Sequence, residues 1–289
     1  MDLNPLNSFL GYGDFRNAEF LVLSKHEGAN NEKLEQELDA RINHFGPNGE
    51  YWLDEENPLN GYWHSSSKEG GDIRRKLMEE GNGPVPFVVR YPTRILLALE
   101  EALETNSDSN IESWFHSPAT EPELTQIREA FYKMYSYSKI NSWKSVLSHY
   151  QPLPRKNGTW PYPQFTRTEY ENVFKAAHPE NSLFASWKRT REDIFVNLLK
   201  TYPKKVIFCT GNYNRNNNSD ALSSFFEREF QADLSPLEID NQERGLFGHF
   251  TYNNQKTVVV HTYGFAFGGG LTLSQVCQIT KRIFDELKK

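Results

Sequence analysis

The stretch AEFLVLSKHEGANNEKLEQEL, residues Ala18–Leu38, sets the fold class of this chain. An apolar run begins at Phe20 and has the composition of a buried strand, and it stops at a polar Ser-Lys-His-Glu-Gly turn. Apolar residues then recur at helical spacing, which predicts a helix over Asn30–Phe45. A strand that passes through a polar turn into a helix is the repeating unit of an α/β sheet.

The same alternation continues along the chain and predicts a single domain over residues 1–289, with an insertion over Gly46–Pro86. Pro92 is expected at the first turn of a helix. Strands are predicted at Ala18–Ser24, Phe131–Trp143, Lys204–Asn212 and from Lys256 into a loop ending at Gly270, with helices at Thr93–Glu104, Tyr170–Lys175, Ser182–Tyr202, Asp220–Phe230 and Leu271–Leu287. The expected fold is a three-layer α/β/α domain around a central, mostly parallel sheet of about four strands.

Composition narrows the class of protein. The formal net charge of −6 gives no global attraction to nucleic acid, so any such binding must use a local patch. Cys209 and Cys277 lack a C-x-x-C partner, which excludes a zinc ribbon and a four-cysteine iron–sulfur cluster. Reduced thiols, no recognisable signal peptide and no long apolar run predict a cytoplasmic protein without a membrane partner.

Four polar or glycine-rich segments follow the predicted strands: Ser24–Gly28, Tyr135–Trp143, Gly211–Asn217 and His261–Gly270. The carboxyl ends of parallel strands share one edge of a sheet, and ligands of open α/β sheets bind at that edge. The sequence therefore predicts that these segments surround the functional site.

The order of several motifs resembles the uracil-DNA glycosylase superfamily, specifically its divergent bacterial members. The motifs that carry the resemblance cover most of the chain: FLGYG (Phe9–Gly13), SKHEG (Ser24–Gly28), RILLALE (Arg94–Glu100), FYKMYSYSKINSW (Phe131–Trp143), FTRTEY (Phe165–Tyr170), YPKKVIFCTGN (Tyr202–Asn212) and VVVHTYGFAFGGG (Val258–Gly270). The resemblance implies a uracil-DNA glycosylase-like fold and a monofunctional DNA glycosylase without metal or cofactor.

The chain also departs from the pattern of the superfamily. The proline of the usual first motif is absent from SKHEG, and Lys133 stands where relatives carry an asparagine in the second strand. The usual His-Pro-Ser is reduced to His261-Thr262-Tyr263. These changes, together with the surplus of aromatic residues, favour a modified or non-standard base larger than uracil. Repair and defence against phages with modified DNA are the expected settings.

The resemblance implies catalytic roles for Glu27, with His26 or Lys25 beside it, and for His261. A carboxylate stabilises the cationic sugar and orients water, and a histidine stabilises the departing base. Each residue also has a simpler interpretation. Glu27 can interact with the N-terminus of the following helix, His26 alternates out of phase with Glu27, and His261 follows three valines as a core histidine would.

Base flipping requires a pocket for the base and a loop that fills the gap left in the duplex. The residues predicted to line the base pocket are Tyr12, Gly28, Tyr135, Tyr137 and Asn141. The residues predicted to contact DNA are Tyr263, Phe265, Phe267, Gly268, Gly269, Gly270 and Arg215. Basic clusters at Arg74-Arg75-Lys76, Arg155-Lys156 and Lys188-Arg189 with Arg191 either bind phosphates or form ordinary solvated faces.

Two other functions fit the same residues. One is a nucleosidase or another hydrolase of small nucleotides. The other is a nucleic-acid-binding or scaffold protein that keeps the fold without the chemistry.

Overall fold

The computed structural model describes residues 4–8, 10–12, 15–25, 38, 50–51, 87–115, 145–154, 160–174, 183–210, 221–262 and 270–289. All strands in this part of the chain belong to one mixed sheet, with two strands of two residues and six longer ones. The strands are β1 (Gly11–Tyr12), β2 (Phe20–Ser24), β3 (Glu50–Tyr51), β4 (Ser145–His149), β5 (Val206–Thr210), β6 (Asp233–Ile239), β7 (Gln242–Tyr252) and β8 (Gln255–Thr262).

The strand order across the sheet is β3-β1-β4-β2-β5-β8-β7-β6. Strands β4, β2, β5 and β8 are parallel neighbours, whereas β1 is antiparallel to β4, and β7 is antiparallel to both β8 and β6. The α/β class is therefore confirmed, but the sheet has more strands than predicted and mixes both directions.

Three predicted strands are present as β2, β5 and β8. The strand predicted at Phe131–Trp143 lies outside the described residues, as do the helix at Asn30–Phe45, except Leu38, and the insertion at Gly46–Pro86, except Glu50–Tyr51. The strand that pairs with β2 on this side is β4.

The described helices flank the strands in chain order. They are α1 (Phe87–Thr105), α2 (Arg167–Val173), α3 (Leu183–Thr201), α4 (Ala221–Phe230) and α5 (Leu273–Leu287). The position of Pro92 was predicted wrongly: it lies inside α1, which begins at Phe87. Helix α5 begins after a capping box, in which Thr272 and Gln275 bond each other's backbone N–H groups. No helix in the described ranges is long and apolar enough to cross a bilayer.

Alternating side chains give the sheet two apolar faces. On one face, residues such as Phe20, Phe208 and Val260 pack with α1 and α5. On the other face, residues such as Leu21, Leu23 and Val259 pack with α2, α3 and α4. The sheet is thus covered by helices on both sides, as continuous apolar strands require.

The chain reverses direction across the sheet at β2. It passes from β2 to β4 on one side and then to β5 on the other. The carboxyl ends of β2 and β5 therefore form the topological switch point, which is the position where ligands of open α/β sheets bind.

Two tight turns extend the sheet beyond its parallel part. Asp240 and Asn241 join β6 to β7, and Asn253 and Asn254 join β7 to β8, all with φ between 50° and 61°. Positive φ at both central residues defines a type I′ turn, which matches the twist of paired strands. Both hairpins are consistent with this turn chemistry.

A buried cation fixes the carboxyl end of β4. Arg191 of α3 is 1% exposed, and its guanidinium donates to the carbonyl oxygens of Tyr150 and Asn7, both at 2.7 Å, and to that of His149. Burial lowers the pKa of Arg191 to about 9, so the side chain remains protonated at neutral pH. One side chain therefore ties the end of β4 to the N-terminal segment.

We expect Arg191→Met to lower the free energy of unfolding by about 3 kcal/mol, because three carbonyl oxygens lose a charged donor. Urea unfolding followed by circular dichroism measures the change. Arg189→Met, at an exposed position on the same helix, is the matched control and should change stability by less than about 0.5 kcal/mol. Equal effects of the two substitutions would contradict the role of Arg191.

Candidate functional site

Most residues predicted for the site lie outside the described part of the chain. These are His26, Glu27, Gly28, Tyr135, Tyr137, Asn141, Arg215, Tyr263, Phe265, Phe267, Gly268 and Gly269, and also Lys133. Their roles stay predictions. The structure does describe the strand ends from which the two predicted catalytic loops start, at Ser24 and Thr262.

Four polar residues form a row across the carboxyl ends of the parallel strands. His149 of β4 is in register with Ser24 of β2, Ser24 with Thr210 of β5, and Thr210 with Thr262 of β8. Residues in register on neighbouring strands share one face, here the face of α1 and α5. This polar row, His149-Ser24-Thr210-Thr262, crosses the switch point.

The two predicted catalytic loops start from strand ends that lie close together in the sheet. Neighbouring strands lie about 4.8 Å apart, so the ends of β2 and β8, separated by β5, are about 10 Å apart. The backbone ladder continues past the strand ends: Lys25 N–H donates to the Thr210 carbonyl at 3.2 Å, and Gln151 N–H donates to the Lys25 carbonyl at 2.7 Å. Lys25 thus starts the loop from a fixed position.

Ser24 and His149 are joined directly by their side chains. The distance between Ser24 Oγ and His149 Nδ1 is 2.5 Å, and each residue is 6% exposed. The sequence analysis did not select His149. The feature that could have predicted β4 is the short run SVLSH, which lies just before the proline-containing segment QPLP. The second strand was instead predicted at Phe131–Trp143.

Aromatic side chains anchor the segment that follows His149. The Tyr170 hydroxyl accepts from Leu153 N–H at 3.1 Å, and the Tyr162 hydroxyl donates to the Pro154 carbonyl at 2.8 Å. Both rings lie in a cluster of edge and stacked contacts with Trp160 and Phe165. These aromatic residues therefore belong to the core and hold this side of the site in place.

His261 lies on the opposite face of the sheet from the polar row. It is 1% exposed, is in register with Cys209, and has Nδ1 3.0 Å from Ser223 Oγ on α4. This environment gives His261 a hydroxyl partner inside the core. It sits one residue before the end of β8, next to the predicted loop.

Two further predicted residues are partly described. Tyr12 lies in β1, where its backbone pairs with Leu147 of β4, so β4 separates it from β2. Gly270 is half-buried and precedes the Thr272 cap of α5 by two residues. Gly270 is therefore placed where the predicted DNA-contacting loop would join the last helix.

Arg191 fits neither alternative given for its basic cluster, because it neither binds a phosphate at the surface nor belongs to a solvated face. Its guanidinium is buried on main-chain carbonyls, so it does not present a charge to a ligand on the surface. Arg189 is exposed on the same helix. In the described ranges, no group of three or more His, Cys, Asp or Glu residues comes together as metal ligands.

Comparisons of the chain with protein-family models, with curated proteins and with solved structures found no match.

The polar row includes a hydroxyl that costs stability. Thr262 Oγ1 is fully buried and makes no hydrogen bond to any described residue. We expect Thr262→Val to raise the free energy of unfolding by about 1 kcal/mol, because an unsatisfied buried hydroxyl is removed with little change in shape. Thermal and urea unfolding measure the gain.

The matched control for this prediction lies on the same strand. Thr257 is equally buried, but its hydroxyl donates to the Lys204 carbonyl at 2.6 Å. Thr257→Val should therefore lower stability by about 1 kcal/mol. A loss of stability in Thr262→Val would show that this hydroxyl has a partner in the folded protein.

Proposed function

We propose that this chain is a metal-independent DNA glycosylase that hydrolyses the N-glycosidic bond of a modified or non-standard base. The observation that supports the proposal most is the position of Ser24 and Thr262 at one edge of the sheet, separated only by β5. The two loops that the resemblance assigns to catalysis both start there. An enzyme that holds an everted nucleotide needs two such loops on one cleft.

The proposed function also implies a specific type of α/β fold. We infer a single, three-layer uracil-DNA glycosylase-like domain in which β4, β2, β5 and β8 form the functional core, with the other strands as extensions at the sheet edges. Support comes from the parallel pairing of these four neighbours and from the helices packed on both faces. The switch point beside β2 and β5 then lies at the centre of the cleft.

The chemistry assigned to the cleft follows from the reaction. Positive charge develops on the sugar as the bond to the base breaks, and a carboxylate beside Ser24 would stabilise it and orient the attacking water. Glu27 is the proposed carboxylate. Negative charge develops on the departing base, and a preorganised hydrogen-bond donor would stabilise that charge. The sequence analysis assigns His261 to this role and places His26 beside Glu27.

The test is an assay for base release from DNA. Duplex and single-stranded oligonucleotides that each carry one modified base are incubated with the protein and then treated with alkali, which breaks the strand at abasic sites. We expect cleavage with at least one modified base, and Glu27→Gln should slow release by about 10²- to 10⁴-fold. Thermal unfolding shows whether the variant remains folded.

A matched control is Glu104→Gln, at an exposed position on α1, which should leave the rate unchanged. Binding of DNA without base release from any substrate would refute the enzyme and favour a scaffold. Release from free nucleosides but not from DNA would instead identify a nucleosidase.

A further inference from the structure

The Ser24 hydroxyl and Nδ1 of His149 lie within hydrogen-bond distance, so the direction of this bond and the position of the imidazole proton are coupled. Their 2.5 Å contact joins a hydroxyl to Nδ1 of the ring. A neutral imidazole has one N–H, and the bond made by one ring nitrogen decides which nitrogen carries the proton. If the Ser24 hydroxyl donates to Nδ1, the proton resides on Nε2, and Nε2 becomes the donor.

The backbone on both sides of this pair is fixed. Tyr150 N–H donates to the Ser24 carbonyl at 2.8 Å, His149 N–H donates to the Leu10 carbonyl at 2.9 Å, and Arg191 donates to the His149 carbonyl. Because three elements hold the end of β4, the ring of His149 has a defined place beside the switch point. Such preorganisation is what a donor needs to stabilise developing charge.

We propose that His149 is the histidine that donates a hydrogen bond to the departing base, and that Ser24 is the positioning residue that keeps its proton on Nε2. This inference rests on the proposed function and names a residue that the sequence analysis did not. In the reaction, the electron pair of the C1′–N bond leaves with the base. A water oxygen bonds to C1′ and releases a proton to solvent, and the base takes up a proton in turn. His149 supplies a hydrogen bond in this step and undergoes no net proton transfer.

The position of His261 favours this assignment. His261 packs on the face of α4, where it meets Ser223, whereas His149 shares the face and register of Ser24. His149 is also the last residue of its strand, directly at the edge where the ligand of a parallel sheet binds. His149 is therefore better placed than His261 to meet a base held at the switch point.

The test uses the full chain and the DNA substrate identified by the base-release assay. His149→Ala should lower kcat by about 10²-fold, as the loss of one preorganised donor does elsewhere, with a small change in KM. Ser24→Ala should lower kcat less, by about 10-fold. Ser24→Thr, which restores a hydroxyl, should recover most of the rate. His249→Asn, at a half-buried position on β7, is the control histidine.

Nitrogen-15 NMR measures which ring nitrogen of His149 carries the proton. A purely structural role of Ser24 would not change this position. In the wild-type protein the His149 ring should carry its proton on Nε2, and in Ser24→Ala the two nitrogens should share it. A proton on Nδ1 in the wild-type protein overturns the proposal. So does an active enzyme in which His149→Ala keeps kcat within about twofold while His261→Asn loses it. Both results leave the proposed function intact.

A wild-type protein that releases no base refutes the proposed function, and the NMR experiment then decides the inference alone. The probes are free uracil and 5-hydroxymethyluracil, added together with a duplex that carries a tetrahydrofuran abasic-site analogue. Shifts of the His149 ring signals, without equal shifts at His249, support a base-contacting histidine. Unchanged His149 signals with both bases overturn it.

Discussion

The guanidinium of Arg191 is a full positive charge in the protein interior, and its described hydrogen bonds all reach main-chain carbonyl oxygens. Moving a charge out of water is costly unless good partners compensate. Those partners belong to the end of β4 and to the N-terminal segment, so the charge is stable only when both are in place. Lys204 acts in the same way on the carbonyls of Phe15 and Ala18. These cations couple the start of the chain to the sheet.

This coupling holds the edge of the sheet that carries the candidate site. Carbonyl groups at the end of a strand need hydrogen-bond donors from outside the sheet. At the end of β4, Arg191 donates to the carbonyls of His149 and Tyr150. The ring of His149 then stands beside Ser24, and both residues belong to paired strands of the sheet. Side chains carried by strands are held more precisely than side chains carried by loops.

The sequence predicted those parts of the fold that local pattern determines. The apolar runs of β2, β5 and β8 are short and lie next to polar turns, and apolar residues recur at helical spacing along α5. Strand β4 was missed because SVLSH contains only two apolar residues, and pairing on both sides stabilises it. Strands β6 and β7 were missed although the turn pairs at the two ends of β7, Asp240-Asn241 and Asn253-Asn254, are recognisable in the sequence. The Ser24–His149 contact joins residues 125 positions apart, which no local pattern reveals.

The polar row interrupts the apolar pattern of one face of the sheet. The same face of the sheet is apolar at the preceding positions of the strands, with Phe208 before Thr210 and Val260 before Thr262. Valine at the last positions would pack equally well and would not bury hydroxyl groups. Natural sequences break such rules mainly at functional sites. A histidine and three hydroxyl residues depart from this apolar pattern in one register line at the switch point. This departure supports the proposal that a ligand binds at this edge of the sheet.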